Sequence, residues 1–293
     1  MGQQAACPTT CPAHFEGVAF SVRGWRRRSI RKAIIAGILL GLSACGGDAK
    51  TPDTETAAYA PRQYMQAIND IARMDDRQYD EKRLPGELLA FAQIDKGDVV
   101  GDYIMGGGYL TRLLATAVGA DGKVYAFQPE EFIGFRPEYA TEQDAAVAPY
   151  SDDNGNPMGV IPLRAPIAQP GWPEPLDAII TVMNFHDLYI SQMPEGTVDA
   201  AVQMLYDALK PGGALVVVDH LAAEGGGLEA ADQLHRMDRQ LALDALTGAG
   251  FVLEEESDLY SRPDDPREAN VFDEAIRGNT DQFAWRLRKP DQS

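Results

Sequence analysis

Two runs that are apolar at almost every position, Leu176-Asp-Ala-Ile-Ile-Thr-Val-Met183 and Ala214-Leu-Val-Val-Val218, constrain this chain more than anything else in it. A strand apolar on consecutive residues has both faces covered, and sheets covered on both faces are parallel sheets with helical crossovers. Between the two runs, Thr197 to Leu209 has helical spacing and is closed by Lys210-Pro-Gly-Gly213, so strand, helix and strand follow in order. The alternation repeats upstream, with a strand at Val99 to Ile104, a helix at Tyr109 to Val118, a turn at Gly119-Ala-Asp-Gly122 and a strand at Val124 to Gln128. Downstream, Leu228 to Ala249 reads as one long helix ending at Gly250, Phe251 to Glu256 as a strand, and Gln282 to Arg288 as a last, antiparallel strand. Pro61 to Met74 and Gly86 to Ala92 read as helices ahead of the first strand, while residues 133–160 show no clear period. The pattern predicts a doubly wound, mostly parallel α/β sheet over residues 85–293, preceded by a helical cap at 61–84.

The N-terminal region reads as an address. Arg26, Arg27, Arg28, Arg31 and Lys32 precede the apolar run Ala33-Ile-Ile-Ala-Gly-Ile-Leu-Leu-Gly-Leu42, which is too short to span a bilayer but suits a secretory signal. Leu42-Ser-Ala-Cys45 then resembles a bacterial lipobox, in which the cysteine is lipidated and becomes the first mature residue. Residues 1–44 are therefore expected to be a lipoprotein signal peptide, and 45–60, small and polar, a flexible tether. Removing the signal deletes six basic residues and one acidic residue, leaving 20 and 43, a formal charge of −23, with Cys45 as the last thiol. That acidity repels phosphate backbones and anionic lipid surfaces, so nucleic acid is excluded as a partner and the membrane is reached through the lipid alone. The expected location is the periplasmic side of a bacterial cell envelope.

Val99-Val-Gly-Asp102-Tyr-Ile-Met-Gly106-Gly107-Gly108-Tyr109 runs from strand to helix, where glycines let a ligand approach backbone and the helix N-terminus. Gln128 ends the next strand 22 residues after Gly106. A later buried strand ends in Asn184-Phe-His186-Asp187, and Leu209-Lys-Pro-Gly-Gly213 leads into another. In this order the pieces resemble a class I S-adenosylmethionine-dependent methyltransferase over about Pro85 to Lys289. They are most similar to a bacterial group of predicted exported methyltransferases, through Gly106-Gly-Gly-Tyr109, Asn184-Phe-His-Asp187, Asp219-His220, Leu234-His-Arg-Met-Asp238 and Gly278-Asn-Thr-Asp-Gln-Phe283. The resemblance implies a Rossmann-like seven-stranded sheet with the last strand antiparallel. It also implies S-adenosylmethionine bordered by Asp102, Ile104, Gly106, Gly107, Gly108 and Gln128. Two positions depart from the usual pattern: Ile104 replaces the first loop glycine, and Gln128 replaces the acid that holds both ribose hydroxyls, with Glu130 and Glu131 near enough to substitute.

The mature chain has three histidines, His186, His220 and His235, each with an acid nearby in sequence: Asp187, Asp219 and Asp238. Two follow buried strands, whose C-terminal ends form the ligand face of such sheets. On one helix, His235 and Asp238 share a face. The catalytic candidates are His186, Asp187 and His220, with Asn184, Asp219 and His235 expected at a small-molecule substrate. One use of these groups is general-base catalysis by a histidine. Another is a divalent metal held by His186, Asp187, Asp219 and His220, although no recognised metal-ligand spacing is present. A third is mutual hydrogen bonding that closes loops. The long polar segment Tyr260 to Thr280 is a candidate lid, with Arg262 and Arg267 expected to pair with Asp264, Asp265 or Asp273. A non-methylating binding protein and a metal-dependent hydrolase or lyase on the same sheet are the alternatives to methyl transfer. Replacing Cys45 with Ser is expected to move the protein from the membrane fraction to the soluble fraction on cell fractionation.

Overall fold

The computed structural model describes residues 59–291. The signal segment, Cys45 and all but the last two residues of the tether lie outside the described residues.

The apolar runs become the middle of a seven-stranded sheet in the order β3-β2-β1-β4-β5-β7-β6. Its strands are β1 (Val99–Tyr103), β2 (Lys123–Pro129), β3 (Val160–Ala165), β4 (Leu176–Val182), β5 (Leu209–His220), β6 (Val252–Ser257) and β7 (Gln282–Arg288). The five strands β1 to β5 are parallel, and β7 runs antiparallel between β5 and β6. The chain builds outward from β1 to β3, then returns to place β4 on the other side of β1. The loops after β1 and β4 therefore diverge, and this topological switch point is where ligands enter open α/β sheets. The glycine loop follows β1, and Asn184 to Asp187 follow β4.

Adjacent residues of the central strands face opposite layers, as their continuous apolar sequence requires. Val100, Ile180 and Val216 belong to one core with Leu113 and Leu114 of helix α4 (Tyr109–Val118). Ile179, Val217 and Trp285 belong to the other, with Leu205 of α7 (Thr197–Ala208) and Leu246 of α9 (Arg239–Gly248). Gly108, at φ +79°, starts α4 where only glycine fits, because a Cβ there would lie 2.4 Å from the Cβ of Ala146.

Four expectations are corrected. Pro61 to Met74 is not one helix but a 3-10 turn (Pro61–Tyr64), α1 (Met65–Ile68) and a second 3-10 segment (Ile71–Tyr79). Asp70 breaks it by accepting the Ala72 N–H at 2.8 Å, and its other oxygen takes the Thr116 hydroxyl. α2 (Asp80–Arg83) and α3 (Pro85–Ala92) follow. Residues 133–160 hold the end of α5 (Glu130–Phe135), α6 (Glu138–Val147) and the start of β3.

The helix expected from Leu228 to Ala249 is two, α8 (Gly227–Leu234) and α9. His235 ends α8 in the left-handed region at φ +53°, and Met237 bridges to the end of β5 through its N–H to the His220 carbonyl at 2.7 Å. Asp238 is the N-cap of α9, accepting from the Gln240 and Leu241 N–H groups, so it does not share a helix face with His235. The break buries Arg236, whose guanidinium makes two bonds to Asp265 at 2.8 and 3.0 Å and one to the Leu221 carbonyl.

That pair anchors the segment from Tyr260 to Thr280, which contains neither helix nor strand. The partners expected for its arginines are also corrected: Asp265 is committed to Arg236, and the Arg267 guanidinium meets Asp281 at 2.6 Å instead. The Arg262 N–H donates to Asp281 as well, while its guanidinium donates to the Ser261 carbonyl. Asp265→Ala would leave the fully buried Arg236 charge unpaired and is expected to cost about 3–5 kcal/mol, measured by urea unfolding.

Candidate functional site

At the end of β1, Ile104 keeps the backbone that the usual glycine would have, at φ +66°. A β-branched residue is rare in that region, and such strain concentrates at functional loops. Its side chain is buried in the core that contains Tyr103 and Phe127, and its carbonyl accepts from the Asn184 amide at 3.0 Å. Asn184 thereby ties the β1 loop to the β4 loop across the switch point. Beyond Ile104, a Cβ built on Gly106 or Gly107 would meet nothing within 4 Å. The loop backbone thus borders open space.

Asp102 lies beneath the loop. It is buried and accepts the Thr111 hydroxyl, so it fastens the loop to α4. Burial pushes its carboxyl up to about 7, against hydrogen bonds from Thr111 and the Arg112 charge. Gln128 is wholly buried, and both its amide oxygen and its amide nitrogen lack a partner among the described residues. Glu131 does not substitute for it, because both its oxygens accept from the Ile167 N–H at 3.1 and 2.9 Å. Glu130 is exposed.

The segment from Ile71 to Arg83 clamps the first turn of α4 beside this loop. Arg112 makes two 2.7 Å bonds to Asp76, and the Tyr109 hydroxyl donates to Asp80 at 2.7 Å. Buried Arg73 also bonds Asp80, and the Arg73 and Arg83 guanidinium groups lie 5.0 and 4.4 Å from the Tyr109 ring centre. The sequence gave no signal for Arg73, Asp76 or Arg112, which are paired by the fold alone.

The histidines meet at the ends of β4 and β5. Asp219, fully buried, accepts the His186 N–H at 2.6 Å and the His220 N–H at 2.7 Å, and lies 2.8 Å from His186 Nδ1. Burial alone would lower the His186 pKa. The charge and hydrogen bond of Asp219, joined by Asp187, outweigh it and hold the imidazole above its ordinary range. Burial likewise opposes ionisation of Asp219, but His186 and then His220 keep its carboxyl below the usual range. The other edge of His186 faces Asp187, with Nε2 3.4 Å from Oδ1, and the same oxygen lies 3.7 Å from His235 Nδ1.

His220 stands apart from this group. Its Nδ1 is 2.7 Å from the Thr280 hydroxyl, and its ring centre is 6.0 Å from that of His186. Burial, with the neighbouring His186, pushes its pKa down to about 4 against the pull of Asp219. The four-residue metal set read from the sequence does not form, since the Asp219 oxygens are already committed to donors and His220 is turned to Thr280. Thr280 lies within the Gly278-Asn-Thr-Asp-Gln-Phe283 piece of the resemblance, but nothing in the sequence pointed to a role beside His220.

No family model and no curated protein matches the chain. Solved structures do. A S-adenosylmethionine-dependent methyltransferase from Aquifex aeolicus is 19% identical, covering 78% of this chain and 98% of its own, at a TM-score of 0.44. The [4+2]-cyclase SpnF is 16% identical, covering 72% and 82%, at 0.50. Fibrillarin from Aeropyrum pernix, solved with natively bound S-adenosyl-L-methionine, is 13% identical, covering 66% and 67%, at 0.42. The sheet order, with one antiparallel strand next to the edge, is that of the class I methyltransferase fold. The chain has this fold, as the sequence resemblance implied.

Because folded His220 stays neutral while an unfolded histidine takes a proton near pH 6.5, its contribution is complete above that pH and is lost as pH falls toward 4. The loss is expected to reach about 3 kcal/mol. His220→Gln should flatten the fall in stability between pH 6.5 and 4, measured by urea unfolding at each pH.

Proposed function

We propose that this chain is an S-adenosylmethionine-dependent methyltransferase that acts on a small molecule, with the cofactor over the β1 loop and the acceptor beside His186. The observation that carries this reading is the loop itself: Gly106 and Gly107 leave their backbone bordering open space, and Gln128 holds an unpartnered amide at the end of the next strand. An amide oxygen and an amide nitrogen suit a ribose diol, one accepting and one donating, with weaker hold than an ionised acid. When bound, the cofactor supplies an electrophilic methyl group on a sulfonium.

The chain's own residues position and activate the acceptor. Asp219 accepts from His186 Nδ1, which leaves Nε2 to receive a proton from an acceptor hydroxyl or amine. Asp187, 3.4 Å away, stabilises the imidazolium that results. Asn184 acts as a positioning residue through Ile104. In this reading the enzyme belongs to an exported bacterial group and is held by lipid on Cys45 at the periplasmic side of the envelope, without nucleic-acid partners.

A second reading has its own support. Ile104 places a buried side chain where the fold usually has none, Gln128 is sealed from solvent, and SpnF, which shares the fold, is described as a cyclase. Function lives in the site rather than in the fold. A binding protein that kept the loop and lost methyl transfer fits these observations.

Titration calorimetry with S-adenosylmethionine separates the two. Micromolar binding is expected for the methyltransferase. Gly107→Val, which fills open space without touching a neighbour, is expected to weaken that binding at least about tenfold while leaving the melting temperature unchanged. No binding at millimolar ligand would leave the second reading.

A further inference from the structure

We infer that His186, Asp187 and His235 hold a divalent transition-metal ion at the C-terminal ends of β4 and β5. One ligand atom from each residue lies within 4.8 Å of the other two. Asp187 Oδ1 is 3.4 Å from His186 Nε2 and 3.7 Å from His235 Nδ1. Ligands bound at about 2.1 Å around a tetrahedral ion are separated by about 3.4 Å; both separations from Asp187 are already near that spacing, and the two histidine nitrogens, within 4.8 Å of each other, close on the cation.

A second observation, independent of that convergence, points the same way. Fully buried Asp219 lies 2.8 Å from His186 Nδ1, on the edge of the ring away from Asp187. A carboxylate behind a histidine fixes the tautomer, turns the opposite nitrogen outward and raises its basicity, the usual support for a metal-bound imidazole. His235 is fixed as well, by its left-handed backbone at the end of α8 and by the Phe272 ring, whose centre is 4.9 Å from its own.

Three protein ligands leave coordination positions free, and they open outward, since the side chains of Asp187 and His235 are 13% and 29% exposed. Two imidazoles and one carboxylate suit Zn²⁺, Fe²⁺, Mn²⁺ or Co²⁺ and not the all-oxygen preference of Ca²⁺ or Mg²⁺. The free positions take an oxygen donor, such as a hydroxyl or a carboxylate. Under the methyltransferase reading, that donor is the acceptor oxygen, and the cation takes over from His186 the task of making it nucleophilic. Metal binding itself does not rest on that reading.

The test uses chelator-treated protein titrated with Co²⁺ by visible absorption and with Zn²⁺ by calorimetry, without S-adenosylmethionine. One equivalent is expected, with the absorption bands of nitrogen-ligated Co²⁺. Asp187→Asn and His235→Asn should each weaken Co²⁺ binding at least about tenfold, and Asp219→Asn by a similar factor through His186. Asparagine is chosen at 235 because it tolerates the left-handed backbone. If Asp219→Asn does not fold, the other two variants decide. Absence of stoichiometric binding by the unaltered protein, or binding that Asp187→Asn and His235→Asn leave unchanged, would overturn the site and assign these groups to ion pairing alone. A separate titration with S-adenosylmethionine keeps failure of the cofactor reading distinct from failure of the metal site.

Discussion

The carboxylate of Asp219 is the interaction on which the histidine cluster at the ends of β4 and β5 depends. It sits at the penultimate position of the buried strand β5, out of water, and an unpaired charge there would be costly. Three donors compensate it: two backbone N–H groups, from His186 and His220, and the ring of His186. By collecting them it fixes the backbone after β4, the backbone at the end of β5 and the direction of one imidazole at once. Its environment also sends the two neighbouring histidines opposite ways, His186 toward the charged form and His220 toward the neutral one. Two chemically distinct imidazoles thus stand 6.0 Å apart at one sheet end.

The other half of the cleft is organised by the chain reversal between β1 and β4. Ile104 and Asn184 belong to loops that diverge, and one amide-to-carbonyl bond joins them. The strained Ile104 backbone is held from below by core packing and from the side by Asn184. On the outer side, Asp76, Asp80, Arg73 and Arg83 grip Tyr109 and Arg112 at the start of α4. The glycine loop is therefore held at both ends while its middle stays uncovered.

Much of this was legible in the sequence, for a physical reason: strands buried on both faces must be apolar at consecutive positions, and β4 and β5 are. The strand-to-helix glycines and the three histidines followed from the same pattern. The break between α8 and α9 was not legible, because helical spacing continues across residues 235–238 with no Gly or Pro to interrupt it. Asp238 was the signal, read as a helix-face partner of His235 when it was a cap. The second partner of His186, Asp219 behind the ring in addition to Asp187, was equally hidden. It depends on how far the residues that follow β4 reach toward β5, a tertiary distance that adjacency in sequence does not encode.

β7 lies between β5 and β6, so one edge of β5 stays open until residues 282–288 are present. That pairing joins segments more than sixty residues apart, and long-range pairing of this kind forms slowly. The half-built sheet would expose a long apolar strand edge, a template for association with other chains. A chain synthesised from its N-terminus therefore cannot close its central sheet early. For as long as residues 282–288 are missing, the incomplete sheet presents that edge to every neighbouring chain.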